Sequence, residues 1–401
     1  MQLNQIIKIK LKLESHQQND FLYEVTEQYR QACNFVSKYI FENHFELNVS
    51  CLNHLLYQKI RSKFGLKSQL AQSVLRTVTA RYKTVRTQLK NKPYHFKNQH
   101  GYWKNITRTL DWLWKPIYFK RPQADLVRNR DYSFVDNGQL LSINTLNQRI
   151  KLKYIKKGFE QYFDGTWLIG TGKLIKTGKN WFLHLAISKT VQDFDLNQVK
   201  HIVGIDRGLR FLATIYDGAG KTTFFDGQKI FKKRHQFQQR RTELQKRGTK
   251  SAKRKLKALS GRENRWMNDV NHQISKTLVQ KYGAQTLFVI EDLTNISFNR
   301  TNLHSQMASD NRSWSFYDLE KKLEYKAHHN QSFMIKVKAA YTSQRCIKCG
   351  SIDKTNRNHK LHVYKCKVCH YSSNDDRMGA MNIQELGQQF VNGIEKPQFK
   401  K

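Results

Sequence analysis

Three carboxylates and four cysteines are the residues of this chain best placed to do chemistry. Asp206 closes the apolar run His201-Ile202-Val203-Gly204-Ile205 and precedes Gly208, and Glu291 closes Thr286-Leu287-Phe288-Val289-Ile290. Asp376 opens Asp376-Arg377-Met378-Gly379-Ala380-Met381-Asn382-Ile383, which reads as a helix start. A carboxylate at a strand end or in a first helical turn is held rigidly while it points into a cleft. Acids are scarce here, 31 against 71 Lys and Arg, so acids placed after buried strands need a reason. Hard-cation binding supplies one: two Mg²⁺ ions ~3.5–4 Å apart, bridged by carboxylates, activate a water and stabilise the leaving oxygen of a phosphodiester. Taken singly, each acid has other readings. An Asp-x-Gly after a strand also occurs in the phosphate loops of sugar-kinase-like ATPases, and a strand-terminal Glu can simply cap or pair. The ordered set carries the argument.

The cysteines read Cys346-Ile347-Lys348-Cys349 and Cys366-Lys367-Val368-Cys369, two pairs separated by sixteen residues. Two such knuckles present four thiolates to one ion, which predicts a tetrahedral zinc ribbon. Gly350 permits the tight turn after the first knuckle. Four sulfur ligands leave no open coordination position, so the zinc is expected to be structural. The two other cysteines, Cys33 and Cys51, are expected to be small buried hydrophobes.

The charge names the partner class. A formal net charge of +40 and a pI near 10 repel themselves in a compact fold unless phosphates neutralise them. With 39% hydrophobic and 12% aromatic residues the chain has the apolar surface to fold, which excludes a disordered basic tail. No run approaches the ~18 apolar residues needed to span a bilayer, and Met1-Gln2-Leu3-Asn4-Gln5 lacks a signal-peptide layout. The expectation is a cytoplasmic protein, nucleoid-associated when on DNA, with no membrane partner. Between residues 232 and 265 lie 14 Lys and Arg and two acids, Glu243 and Glu263. As a helical hairpin broken near Gly248 this segment lays a cationic stripe along a nucleic-acid backbone, with Arg240, Arg241, Lys246, Arg247, Lys253 and Arg254 as candidate contacts. The plain alternative is a solvated helix, although solvated helices usually mix signs.

The elements that must position these residues follow from periodicity. Residues 3–13 alternate, with Ile7, Ile9, Leu11 and Leu13 on one side, an edge-like β-strand. From about 18 to 90 the period is helical, punctuated by Gly65, and predicts three or four helices. In the helix near 67–90, Gln69, Gln72, Arg76 and Lys83 fall on one face opposite Leu70, Val74, Val78 and Tyr82. The polar face is either solvated or a nucleic-acid contact, since Gln and Arg can read base edges and Lys serves phosphates. Short β runs return from about 112 to 196, among them 115–120, 140–143, 149–154 and 181–187, separated by turn signals at Asn137-Gly138 and Thr171-Gly172. They predict a small antiparallel barrel completed by the N-terminal strand. After about 200 come a strand to Asp206, strands over 209–216 and 222–225, a long basic helical stretch, the strand ending at Glu291, and a strand over 333–338. Three adjacent strands passing into helix is the order of an RNase H-like fold. Trp266, Val270, Ile274 and Leu278 recur at i+4 and are expected to pack on its sheet.

Gly204-Ile205-Asp206-Arg207-Gly208, Ile290-Glu291-Asp292-Leu293, Thr342-Ser343-Gln344-Arg345-Cys346 with its ribbon, and the run 374–383 together resemble TnpB, the RNA-guided nuclease family of bacterial insertion sequences, ancestral to type V CRISPR effectors. The match is specific over about 200–385 and looser before it. The resemblance implies a multidomain α+β protein with an RNase H-like (RuvC) nuclease domain over 197–340 and 371–401, and a zinc-ribbon target-nucleic-acid-binding module over 341–370. It implies a β-barrel wedge domain over 1–15 and 105–196 carrying a helical recognition insertion over 16–104. Asp206, Glu291 and Asp376 become the catalytic, Mg²⁺-holding triad. Guide RNA and target DNA become the partners, bound by a monomeric protein within a ribonucleoprotein, and the barrel and helices hold the guide and a short target-adjacent motif. Where the family often has Asn-Ala-Ala, Met378-Gly379-Ala380 stands here; aligning the Asn-Ile pair favours Asp376 over Asp375. A nuclease-inactive RNA-guided repressor, a small type V CRISPR effector and a strand-transferring transposase are the competing readings.

Overall fold

Alternation in the first dozen residues builds the centre of a sheet. In the computed structural model, which describes residues 2–208, 210–293, 316–358 and 361–400, strand β1 (Gln2–Lys12) buries Leu3, Ile7, Ile9 and Leu11 and turns its lysines outward. Residue 209 of the expected second nuclease strand, and 294–315 of the expected nuclease stretch, lie outside the described residues. The chain divides into two units, Gln2–Thr190 and Val191–Lys401. No described helix is long and apolar enough to cross a membrane.

In the first unit, helices α1 (His16–Glu42), α2 (Val49–Phe64) and α3 (Ser68–Lys90) follow β1. Ser15 and Asn48 cap the first two through their side chains, and Gly65, at φ 63°, ends the second. A separate hairpin, β2 (Tyr94–Lys97) with β3 (Trp103–Ile106), comes next. Then come β4 (Gln123–Leu126), β5 (Tyr132–Val135), β6 (Leu140–Asn144), β7 (Arg149–Ile155), β8 (Leu168–Thr177) and β9 (Asn180–Thr190). With β1 they form an antiparallel sheet of order β4-β8-β9-β1-β7-β6-β5.

Several expectations change here. β1 is central and not at an edge: the outward lysines reflect one solvated face, while both backbone edges are paired, to β9 and β7. Residues 115–120 form no strand, because Pro116 lacks a donor and the run is held by α1 side chains. Ser37 Oγ donates to the Ile117 carbonyl and Asn34 bonds both backbone groups of Phe119. Thr171-Gly172 is no turn but lies inside β8, where the register with β9 shifts. The stretch 16–104 is helical only to Lys90, since the β2–β3 hairpin follows it. Cys33 is buried, but Cys51 is exposed, because α2 turns Leu52, Leu56 and Ile60 inward and Cys51 falls off that face.

The second unit is built on a mixed sheet of order β12-β11-β10-β13-β14: β10 (His201–Asp206), β11 (Phe211–Tyr216), β12 (Thr222–Asp226), β13 (Thr286–Asp292) and β14 (Phe333–Lys338). β10, β11 and β12 are antiparallel neighbours, whereas β10, β13 and β14 run parallel. Helix α4 (Gln228–Arg247) ends at Gly248, φ 62°, and Thr249 caps α5 (Lys250–Tyr282) through the amide of Ala252, giving the expected basic hairpin. α5 and α6 (Phe316–His329) cover one sheet face, with Val270, Ile274, Leu278, Leu319 and Leu323 against Val203, Ile205, Phe288 and Ile290. α7 (Asp375–Val391) covers the other, with Ile383 and Leu386 against Leu287, Val289 and Val337. The inner strands β10, β11 and β13 bury consecutive residues on both faces, so their sequences read as continuous apolar runs.

Candidate active site and metal centres

Strand parity aims the two strand carboxylates. On β10, Val203 and Ile205 face α5 and α6, so Ile202, Gly204 and Asp206 face α7; on β13, Phe288 and Ile290 take the first face, leaving Leu287, Val289 and Glu291 for the second. Ile205 pairs with Ile290 in parallel register, which sets Asp206 and Glu291 side by side at the same sheet end. Asp376 arrives from the opposite element, in the first turn of α7. Asn374 caps that helix by accepting from the amides of Asp376 and Arg377.

Glycines let α7 come close enough. A Cβ at Gly204 would stand 2.2 Å from the Ala380 carbonyl oxygen, one at Gly379 2.5 Å from Asp206 Oδ2, and one at Gly387 2.5 Å from Val289 Cγ2. Gly379, the departure noted above, thus lies directly against the Asp206 carboxylate.

The carboxylates strain against one another. Burial pushes the Asp206 carboxyl well above the usual carboxylate range, and the charges of Glu291 and Asp376 push it further. Glu291 is raised by burial, opposed by a hydrogen bond from Thr342 Oγ1 to its Oε1 at 2.5 Å and by the charge of Arg207. Asp376 is raised by burial and by Asp375, opposed by Arg357. A cluster that resists its own ionisation gains from a cation. Among the described residues Asp376 Oδ2 is buried with no hydrogen-bond partner, an oxygen donor of the kind a hard cation takes. The acids therefore fit Mg²⁺.

The neighbouring Asp375 is differently employed. Its side chain is fully buried; Arg357 Nε donates to its Oδ2 at 2.9 Å and the Asp376 amide donates to its Oδ1. His362 Nδ1 lies 3.5 Å from Oδ1, and Arg357 Nη2 reaches Asp376 Oδ1 at 3.4 Å. His362, Asp375 and Asp376 each offer a ligand atom within 4.8 Å of the others, a tighter grouping than the three acids read from the sequence.

Supporting residues escaped the sequence reading because they come from loops and distant helices. Thr342 is held by Asn382 of α7, whose Nδ2 donates to the carbonyls of Thr342 and Arg345 at 2.7 and 2.8 Å. Arg207, buried one residue beyond Asp206, donates to the Glu291 carbonyl at 2.6 Å and pairs with Glu320 of α6 at 3.3 Å. The Thr342–Cys346 run was the available signal for the first. Arg357 and His362, inside the sixteen-residue interval between the cysteine pairs, carry no periodic signal.

The four cysteines meet: Cys346 and Cys369 Sγ lie 3.5 Å apart, Cys349 and Cys366 Sγ 3.6 Å apart, and all four fall within 4.8 Å. A tetrahedron of ~2.3 Å Zn–S bonds has edges of about 3.8 Å, so the thiols fit one Zn²⁺. Strands β15 (Arg357–Asn358), β16 (Val363–Lys365) and β17 (Ser372–Asn374) form the ribbon, with Gly350 at φ 74° after the first knuckle and His370 at φ 58° after the second.

The candidate nucleic-acid residues divide. Leu70, Val74, Val78 and Tyr82 are fully buried, as their spacing predicts. Gln69, though, is buried on the polar side and accepts from Arg130 Nη1 at 2.8 Å, since the turn after β4 covers that end of α3. Gln72 is half-buried, while Arg76 and Lys83 are exposed, Arg76 beside a groove of about 620 Å³ also lined by Thr77, Asp125, Lys173 and His184. On the basic hairpin Arg240, Lys246, Arg247, Lys253 and Arg254 are exposed. Arg241 is not free, because it pairs with Glu263 across α4 and α5, where Arg234 also approaches at 3.8 Å.

Comparison with known proteins adds two family models: one described as a probable transposase matches residues 187–296, and one described as a Cas12f1-like TNB domain matches 316–383. A CRISPR-associated endodeoxyribonuclease Cas12f1 of Sulfoacidibacillus thermotolerans is 39% identical over 28% of this chain and 25% of its own length. The chain thus spans about a quarter of that relative. A putative RNA-guided DNA endonuclease InsQ of Escherichia coli is 29% identical over 68% of each, and the TnpB-like protein MJ0751 of Methanocaldococcus jannaschii 29% identical over 57% of this chain and 82% of its own. A Cas12f1–sgRNA–target DNA complex shares the fold with a TM-score of 0.60 at 16% identity, covering 92% of this chain and 83% of that one. In its matched segments and its relatives, the chain is similar to TnpB-like transposon proteins and to Cas12f1 effectors.

Proposed function

We propose that this protein is an RNA-guided DNA endonuclease that hydrolyses target phosphodiesters at Asp206, Glu291 and Asp376, within an RNase H-like (RuvC) domain bearing a zinc ribbon. The carrying observation is the convergence of Asp206 and Glu291, set on one sheet face by parity, with Asp376, brought to them by α7 across Gly204 and Gly379. Two Mg²⁺ ions held there would activate a water and stabilise the leaving oxygen. The chain's own residues do the positioning. Asp206, Glu291 and Asp376 Oδ2, which has no hydrogen-bond partner among the described residues, would be the ligands; Thr342 fixes one oxygen of Glu291; Arg357 orients Asp376 through its other oxygen. Strand order β12-β11-β10-β13-β14, with an antiparallel hairpin leading into parallel strands, supports the RNase H-like reading. The net charge of +40 and the names of the relatives support an RNA guide and a DNA target.

The test supplies a guide RNA and a matched duplex with Mg²⁺. Asp206→Ala, Glu291→Ala and Asp376→Ala are each expected to abolish cutting while guided target binding survives. Undiminished cutting by Asp206→Ala, or cutting that ignores a change of guide sequence, overturns the proposal.

A further inference from the structure

Among the described residues the β2–β3 hairpin joins no other sheet, its two strands pairing only with each other. An isolated two-stranded hairpin is marginal in water unless a third strand or a packed face supports it. This one keeps exposed aromatic side chains on both faces. Tyr94 and Ile106 are exposed on one side, with Trp112 against Tyr94 at a centroid distance of 5.6 Å; Trp103, 69% exposed, lies on the other. Tyr102 at the turn is 72% exposed and Trp114, just beyond, 90%. Lys97 and Lys115 sit over the rings of Trp103 and Trp114 at 5.4 and 5.7 Å. Residues 91–121 hold seven Lys and Arg and a single acid, Asp111.

We propose that this hairpin, with Trp112 and Trp114, is a stacking platform for unpaired nucleotides of the RNA the protein carries, a reading that rests on the RNA-guided function above. Bare aromatic rings interleaved with cations match the two faces of a single strand: rings stack on bases, lysines meet phosphates. A second copy of the chain is disfavoured because seven cations would face seven. RNA is preferred to DNA because so much exposed aromatic surface is an association hazard that needs a permanent cover. A guide RNA stays bound, whereas target DNA comes and goes.

The test has two arms, both with the full chain. Ultraviolet crosslinking of the copurified ribonucleoprotein should yield nucleotide–peptide adducts at Tyr102, Trp103 or Trp114. RNA-stripped protein is then titrated with an unstructured single-stranded RNA oligonucleotide and its DNA counterpart. Trp103→Ala with Trp114→Ala should weaken RNA binding roughly 10-fold or more, whereas Phe at both positions should hold it within roughly twofold. These side chains are exposed, so an unchanged melting temperature is expected for each variant. Equal RNA affinity of the Ala and Phe variants, a larger loss for DNA than for RNA, adducts confined to other segments, or loss of self-association without loss of RNA binding would each overturn the platform. Guided cutting is scored separately: cutting that proves unguided while adducts map to the hairpin sinks the function and keeps the platform, and the converse result does the reverse.

Discussion

Gly204 on β10 and Ala380 on α7 approach so closely that a methyl group on the glycine would stand 2.2 Å from the Ala380 carbonyl oxygen, with the Gln384 amide at 2.5 Å. Both obstacles are backbone, so the helix itself would have to move. Gly204→Ala is therefore expected to cost about 1–3 kcal/mol of stability through overpacking. It should also carry Asp376 away from Asp206, and a displacement of about 1 Å at a reacting centre costs on the order of 100-fold in rate. Wild-type cutting by a folded Gly204→Ala protein would refute the close approach.

What the chain reveals in one dimension divides along physical lines. Asp206 and Glu291 were legible because a strand has period two and a buried strand is apolar, so the acid ending each run stands out. The cysteines were legible because a knuckle fixes its own spacing, and Leu70, Val74, Val78 and Tyr82 because a helix repeats its face. The contacts of Gln69 and Arg241 leave no local pattern, because they depend on Arg130 and Glu263, distant in sequence. The pairings of Arg207 with Glu320, Asn382 with Thr342, and Arg357 with Asp375 are tertiary and leave no local pattern.

Asp375 and Asp376 are expected to separate by phenotype. Asp375→Asn removes the charge partner of Arg357 in a fully buried position, and breaking a buried pair typically costs about 3 kcal/mol or more. Asp376→Asn removes a proposed ligand whose Oδ2 has no hydrogen-bond partner among the described residues, so it should spare stability and abolish cutting. Melting temperatures and cleavage rates of the two variants decide; the opposite pattern would move the third ligand to Asp375.

Thr342→Val keeps the shape of the side chain and deletes its hydrogen bond to Glu291 Oε1. That bond lowers the Glu291 pKa, so its loss raises it. The ionised form is then reached at higher pH, and the acidic limb of the pH–rate profile should shift upward, together with the Mg²⁺ concentration giving half-maximal rate. Superimposable profiles would show that Thr342 serves only its own loop.

The ribbon offers an asymmetric pair. Metal analysis should find close to one zinc per chain, lost in Cys349→Ser together with a lower melting temperature. His370 occupies φ 58° where the first knuckle uses Gly350 at 74°, and a non-glycine residue there is strained by roughly 1 kcal/mol. His370→Gly should keep the zinc and leave stability equal or higher. Zinc loss in that variant would assign the imidazole a part in the metal site.

Lys326 of α6 provides a pH signature away from the carboxylates. Burial, with the charges of Lys322 and Lys276, pushes its amine from 10.5 down to about 8, while its Nζ donates to the His272 carbonyl at 2.6 Å and to Ser275 Oγ at 2.8 Å. Between those two values the unfolded chain holds a proton that the folded chain has released. Stability therefore rises with pH through this window and levels above it. The many exposed lysines relax their mutual repulsion over the same range, so wild type alone is uninformative. Lys326→Met removes only the one amine, and the melting-temperature difference isolates it: the variant is relatively favoured at about pH 7, and wild type gains on it as pH climbs past about 8. A difference that stays constant across the window would mean that the amine keeps its proton equally in both states, and the half-buried charge between α5 and α6 would have to be matched by some group other than the two oxygens it now faces.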